Sequence, residues 1–169
     1  MEINRSHLFH ADSTMNQLRN AIFYLARMME KEGKTNINER LRNMGRNIAK
    51  TFINYWKPIE IVNTSNLRDV LKTVYRTILS SSISIDVDSA KKLIIVKDYK
   101  CPLCRYPYDD IAIAGCEIVL GMISEIVSLI NKESTDSSIV FLEPDKVIES
   151  RSLGHDICIQ LFKYKIGGG

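Results

Sequence analysis

The chain has 169 residues, 45% hydrophobic and 25% charged, with 8 glycines and 4 prolines, the arithmetic of one globular domain whose core needs no covalent staples. That composition excludes collagen-like repetition and intrinsic disorder. The 23 basic residues stand against 20 acidic ones for a formal charge of +3, too balanced to mark a nucleic-acid surface, so no nucleic-acid partner is expected.

In chain order, Met15, Leu18, Ile22, Leu25 and Met29 recur in steps of three and four and predict an amphipathic helix, with Asp12 or Ser13 as its N-cap and Gly33 as its stop. A second helix carries Ile37, Leu41, Met44, Ile48, Phe52 and Tyr55, opened by Thr35 or Asn36 and closed by Pro58. Leu67, Val70, Leu71, Val74 and Ile78 mark a third, capped by Ser65 or Asn66. The period then drops to two at Ile83 and Ile85, and the β-branched run 93–96 completes a hairpin about a turn at 86–91. Residues 101–108 form a loop with two prolines, and 109–130 read as one helix, apolar on most sides and hence central and buried. Strands are expected at 139–141, 147–150 and 157–162, the last two forming a second hairpin. Residues 1–166 make a single domain, and Gly167 to Gly169 read as a flexible tail. The fold class is therefore α+β, an antiparallel sheet of about four strands packed against a layer of helices.

The stretch 111–130 is interrupted by Glu117, Ser124, Glu125 and Ser128 and falls short of the roughly 18 uninterrupted apolar residues that a membrane span needs. The first seven residues lack the apolar stretch of a signal peptide. A cytoplasmic protein is expected, touching membranes at most peripherally. In that compartment four cysteines are free thiols or metal ligands rather than a disulfide framework.

No glycine spacing matches a phosphate-cradling loop, and His7, His10 and His155 form no helical pair flanking a glutamate. Ser150 and Ser152 stand in no nucleophile elbow, and Asp156, directly beside His155, is badly placed to orient its ring. A non-enzyme is expected. The informative chemistry is Cys101-Pro102-Leu103-Cys104, a spacing that lets two thiolates grip one tetrahedral metal from a turn. Cys116 and Cys158 lie on a helix and a strand near enough to meet across the core. The four together form a candidate zinc set; redox chemistry, or inert thiols acting as small hydrophobes, are the alternatives.

The segment 38–49, with its Leu41, Met44-Gly45 and Asn47-Ile48, resembles the second-helix signature of the Bet-type core subunits of the TRAPP vesicle-tethering complex. Leu67-Arg68 is similar to the Phe-Arg step of that family, Cys116 with Gly121 to its Cys-Gly spacing, and Pro102-Leu103 to a Pro-Leu that follows a strand. The C-terminal half resembles the related 4-vinyl reductase domain, with Cys101-Pro102, Cys104, Cys116, Glu149, Gly154 and Cys158 in the order of its signature, as in an archaeal-like member. Both resemblances imply the ligand-binding fold shared by nitric-oxide-signalling and Golgi-transport proteins. In zinc-bearing relatives a cysteine follows the position of Glu149 and a glutamate stands two residues before it; here Ser150 and Val147 occupy those places, so zinc would draw on Cys101 or Cys104 as substitutes. The acylated cysteine of a TRAPP core subunit has no counterpart in residues 62–65, so covalent lipid is not expected there.

The TRAPP resemblance implies a scaffold that forms a homodimer, or a heterodimer with a related subunit, through Met15, Leu18, Ile22, Phe23, Leu41, Met44 and Ile48. Vesicle transport and a small GTPase partner follow from the same resemblance. Off the helical stripes, Tyr24, Tyr55 and Trp56 are further aromatics suited to a seam. The vinyl-reductase resemblance implies a hydrophobic small molecule held in a cavity lined by Gly45, Gly115, Cys116, Val119, Leu120 and Ile123, with or without zinc. Gly45, Gly115 and Gly121 suit either close backbone packing or such a cavity. Arg40, Arg42, Arg46, Lys50 and Lys57 form either a weakly cationic face for anionic lipid or the solvated side of a helix.

Overall fold

A computed structural model describes residues 5–56, 58 and 60–167, with side chains from residue 12 onward. Four α-helices run over Arg5–Lys31 (α1), Ile37–Phe52 (α2), Leu67–Leu79 (α3) and Glu117–Asn131 (α4), and four strands over Ile83–Asp88 (β1), Leu93–Asp98 (β2), Val140–Glu149 (β3) and Cys158–Ile166 (β4). The strands form one antiparallel sheet in the order β1-β2-β4-β3. The expected α+β class and sheet of four strands are what the chain adopts.

Helix ends follow local chemistry. Gly33 takes φ +66°, and the N–H groups of Gly33 and Lys34 close the last turn of α1 on the carbonyls of Glu30 and Met29, a left-handed glycine stop. Helix α1 starts at Arg5, earlier than Asp12 or Ser13. Pairing of the amphipathic strands is in register on one face: Ile85 opposes Val96, Val96 opposes Gln160, Ile94 opposes Phe162, and Asp98 opposes Cys158. All seven of these residues are buried, so that face of the sheet is the inner one.

Two expectations are corrected. Helix α4 begins only at Glu117, and residues 109–116 are irregular. Apolar residues crowd there because the segment is buried, not because it is helical: Ile111, Ile113 and Ala114 belong to the core. The strands expected at 139–141 and 147–150 are one strand, β3, whose register shifts at Pro144/Lys146 and Val147/Glu149. Those irregularities interrupt the alternation that would have revealed a single strand.

Helix α4 is buried nearly all round, with the sheet on one side and α2 on the other. Two glycines set the closeness of the α2–α4 crossing. A methyl on Gly45 would stand 2.0 Å from the Ile118 carbonyl oxygen, and one on Gly121 would stand 2.0 Å from the Arg42 carbonyl oxygen. At its N-terminus α4 presents the buried Glu117, which accepts from the Arg42 Nε at 2.6 Å, while Arg42 Nη2 donates to the Asp145 carbonyl at 2.9 Å. At its C-terminus the buried Asn131 accepts from the Val62 N–H and donates to the carbonyls of Val62 and Val140, each at 2.8 Å. One amide thus ties the segment before α3 to β3.

Candidate metal centre

The four cysteines come together. Cys101 follows β2 and starts a single 3-10 turn, Pro102–Cys104, at whose end Cys104 lies. Cys116 holds the N-cap position of α4 and Cys158 opens β4 on its inner face. All four are fully buried, and none is in a disulfide. The sulfurs of Cys101, Cys104 and Cys158 lie within 4.8 Å of one another. Cys116 lies beside the group, its buried thiol reaching the Ser150 hydroxyl at 3.7 Å.

Polar groups surround the sulfurs in an otherwise apolar interior. Ser150 Oγ lies 3.8 Å from Cys158 Sγ and 2.9 Å from Ser152 Oγ, and the Arg151 N–H donates to Cys158 Sγ at 3.4 Å. Ser150 thus lies between two of the sulfurs. On the neighbouring strand Asp98 is fully buried, accepts from the Lys100 N–H at 3.0 Å, and leaves Oδ2 with no partner among the described residues. Gln160, two residues beyond Cys158, accepts from the Tyr75 hydroxyl at 2.6 Å, and its Nε2 is a buried donor with no partner among the described residues.

The thiols are pulled apart in acidity. Hydrogen bonds from Cys101, Cys116 and Cys158 hold the Cys104 thiol well below the ordinary thiol range against the opposing effect of burial. Cys101 is pushed well above that range, first by its hydrogen bond with Cys104. Cys116 is also raised: its bond with Cys101 works the other way, but those with Cys104 and Cys158 and burial outweigh it. Burial first, and the Cys104 charge as a lesser cause, push Asp98 up to about 6, opposed by the Lys100 N–H, Ser81 and Arg151. Tyr75 is raised well above its usual value by burial and then by Asp98 and the thiols.

Four sulfurs without an imidazole, converging from a turn, a helix start and a strand, suit a soft metal in a closed tetrahedron. Zn–S bonds of about 2.3 Å would set sulfur separations near 3.8 Å, a modest contraction of the present cluster. The Arg151 N–H, 3.4 Å from Cys158 Sγ, is a donor of the kind that supports metal thiolates.

The other expected site residues divide. Ile22, Phe23 and Leu41 are each at most 2% exposed, spent inside the protomer, so they are not the pairing surface they were expected to be. Met15, Met44 and Ile48 are half-buried and Leu18 is exposed. Tyr24 and Tyr55 are exposed, Trp56 packs partly on the core. Of the expected cavity residues, Val119, Leu120 and Ile123 are core, Cys116 belongs to the thiol cluster, and the glycines make room for neighbouring atoms: Gly45 for α4 backbone, Gly115 for the Phe23 ring. They mark close packing there, not a cavity. The cationic face is largely neutralised by Arg42–Glu117, Arg46–Glu39 and Lys50–Glu125 pairs; Lys57 lies outside the described residues, as do the side chains of His7 and His10. Gly167 is still tied, its N–H donating to the Ile139 carbonyl at 3.0 Å, while Gly168 and Gly169 lie outside the described residues.

Asp98, Gln160 and Tyr75 were not singled out from the sequence. A signal was present: Asp98 follows Ile94 and Val96 at the inward period of two, and Gln160 stands between Cys158 and Phe162 in the same way.

The fold is that of TRAPP subunits. The chain is similar to the trafficking protein particle complex subunit 3 of Naegleria fowleri, whose crystal structure holds covalently bound palmitic acid; the TM-score is 0.64, with 14% sequence identity, over 91% of this chain and 96% of that one. No family model and no curated protein matches the sequence. Among the described residues no helix is long and apolar enough to cross a membrane.

Proposed function

We propose that this chain is a non-enzymatic scaffold subunit of the TRAPP type, which pairs with a second copy or a related subunit through its outer helical surface and serves vesicle tethering or small-GTPase regulation. The observation that carries the reading is an apolar outer face on that fold. Leu18, Tyr24, Leu25 and Met28 are exposed along one side of α1, and Met44, Ile48, Phe52 and Tyr55 line an open groove along α2. Apolar faces of this extent are typical of subunits that assemble. Of the expected pairing set, Leu18 is exposed, and Met15, Met44 and Ile48 are half-buried against the core.

The polar chemistry supports a non-enzymatic role. The thiols are buried to 0% exposure, and a four-sulfur centre leaves a bound metal no open position for substrate. The structural neighbour holds palmitic acid covalently; in this chain every cysteine belongs to the buried cluster, and Thr64 and Ser65 offer only hydroxyls in the stretch 62–65, so a thioester-linked lipid is not part of the proposal.

The test is light scattering across a micromolar concentration series, with mixing against related subunits from the same source. A dimer, alone or mixed, is expected. A strict monomer in every mixture would remove the mechanism.

A further inference from the structure

We propose that Cys101, Cys104, Cys116 and Cys158 form a closed four-thiolate site for zinc, and that its occupancy seats helix α1 on the rest of the protein.

The ligand set rests on three sulfurs within 4.8 Å of one another, a fourth, Cys116, whose thiol reaches at 3.7 Å the same Ser150 hydroxyl that lies 3.8 Å from Cys158 Sγ, and a main-chain donor at 3.4 Å from Cys158. Coordination is not a redox step. Zinc stays divalent, and the thiol protons it displaces pass to water. The ion would join the end of β2, the start of α4 and the start of β4.

The segment that the ligands bound is where α1 rests. Arg19, only 3% exposed, donates from Nη1 to the Pro102 carbonyl at 2.8 Å, and Pro102 lies between two ligands. The guanidinium of Arg19 also stands 5.4 Å above the ring of Tyr106 and donates to the Asn16 carboxamide on its own helix. Phe23 packs against Tyr108 at 4.3 Å between centroids and covers Gly115, the residue before Cys116, where a methyl would come within 2.8 Å of the ring. Arg27 grips Asp110 with two hydrogen bonds of 2.5 and 2.8 Å. Apart from Asn16, each of these partners falls between Cys101 and Cys116.

That segment has little structure of its own. Beyond the 3-10 turn it is irregular, and between Cys104 and α4 its main chain bonds outward through the Tyr108 N–H to the Ser152 carbonyl at 2.9 Å. Helix α1 has no partner that it meets as extensively as α2 meets α4. An ion pinning both ends of the segment would therefore fix the platform, and through it α1.

Three measurements test this on the full-length protein. Metal analysis after purification without chelator should give one zinc per chain, and Co2+ added to stripped protein should show tetrahedral thiolate bands; absence of metal, or iron in its place, overturns the zinc site. Hydrogen exchange, with and without chelator, should show residues 15–29 and 102–115 losing at least about tenfold protection on zinc removal, while 41–49 and 118–127 keep theirs. Unchanged α1 protection overturns the seating claim and leaves the metal site standing. Linkage is reciprocal, so Arg19→Ala, which touches no ligand, should weaken zinc in a chelator competition by about the same factor; equal affinity overturns the coupling even if Cys104→Ser fails to fold. The inference is independent of the scaffold reading, because dimerisation can fail while all three results hold.

Discussion

At the scale of the residue, single buried polar groups do work that no motif announces. Asn131 makes three backbone hydrogen bonds from a side chain 1% exposed. Replacing it with Leu strands the Val62 N–H and takes a donor from the Val140 carbonyl, while the Val62 carbonyl keeps the Val140 N–H at 2.9 Å; unsatisfied buried groups cost about 1–3 kcal/mol each. Chemical denaturation of Asn131→Leu should therefore show a loss of at least about 2 kcal/mol. Asp98 carries a different signature. Its carboxyl titrates at about 6 in the fold against about 3.9 when unfolded, so between those values the native state holds the extra proton and stability falls as pH rises. In metal-stripped protein, Asp98→Asn should flatten that part of the stability profile and gain on the order of 1–3 kcal/mol at pH 7. Denaturation across pH 4 to 7 reads it, and an unchanged slope would show that Asp98 does not titrate there.

Between elements, the legible and the illegible separate by range. Three helices and the first hairpin could be read from period alone, because each buries its stripe locally and the stripe is written in consecutive residues. The stretch 109–116 could not, since burial by α1 makes it as apolar as the helix that follows. Neither could β3, whose bulges break the alternation. The glycines were ambiguous for the same reason: whether a missing side chain leaves room for a ligand or for a backbone depends on what crosses it. What crosses Gly121 is the Arg42 main chain. Gly121→Ala places a carbon 2.0 Å from that carbonyl oxygen, and no flexible side chain is there to yield. The crossing must open, and overpacking of a rigid contact costs on the order of 3 kcal/mol or more. Loss of the Arg42–Glu117 pair would follow, because the two helices hold its partners 2.6 Å apart. Thermal unfolding of Gly121→Ala beside Ser124→Ala, a substitution in the same helix that adds no atoms, separates the steric cost from any general sensitivity of α4; equal losses would contradict the close crossing.

For the whole molecule, the cysteine set and the outer helical face place stability and assembly in different parts of α1. The spacing of Cys101 and Cys104 was readable, and so were the four candidates, but their meeting depended on β4 lying beside β2 rather than beside β1, a fact of topology that spacing does not encode. In α1 the same 3.6-residue period serves two surfaces. Ile22, Phe23 and Ala26 face inward at 1% exposure, while Leu25 and Met28 stand 42% and 39% exposed. A glutamate at an inward position would bury a charge and should cost several kcal/mol. At an outward position it meets water in the monomer and would meet apolar surface only in an assembly. Leu25→Glu combined with Met28→Glu should therefore leave the monomer's stability within about 1 kcal/mol of the parent, as expected for substitutions outside the core. The same pair should shift the light-scattering mass of any dimer to that of one chain. If stability collapses instead, these residues belong to the protomer's own packing; if the dimer persists unchanged, the pairing surface is the α2 groove, and Met44→Glu becomes the variant expected to break it.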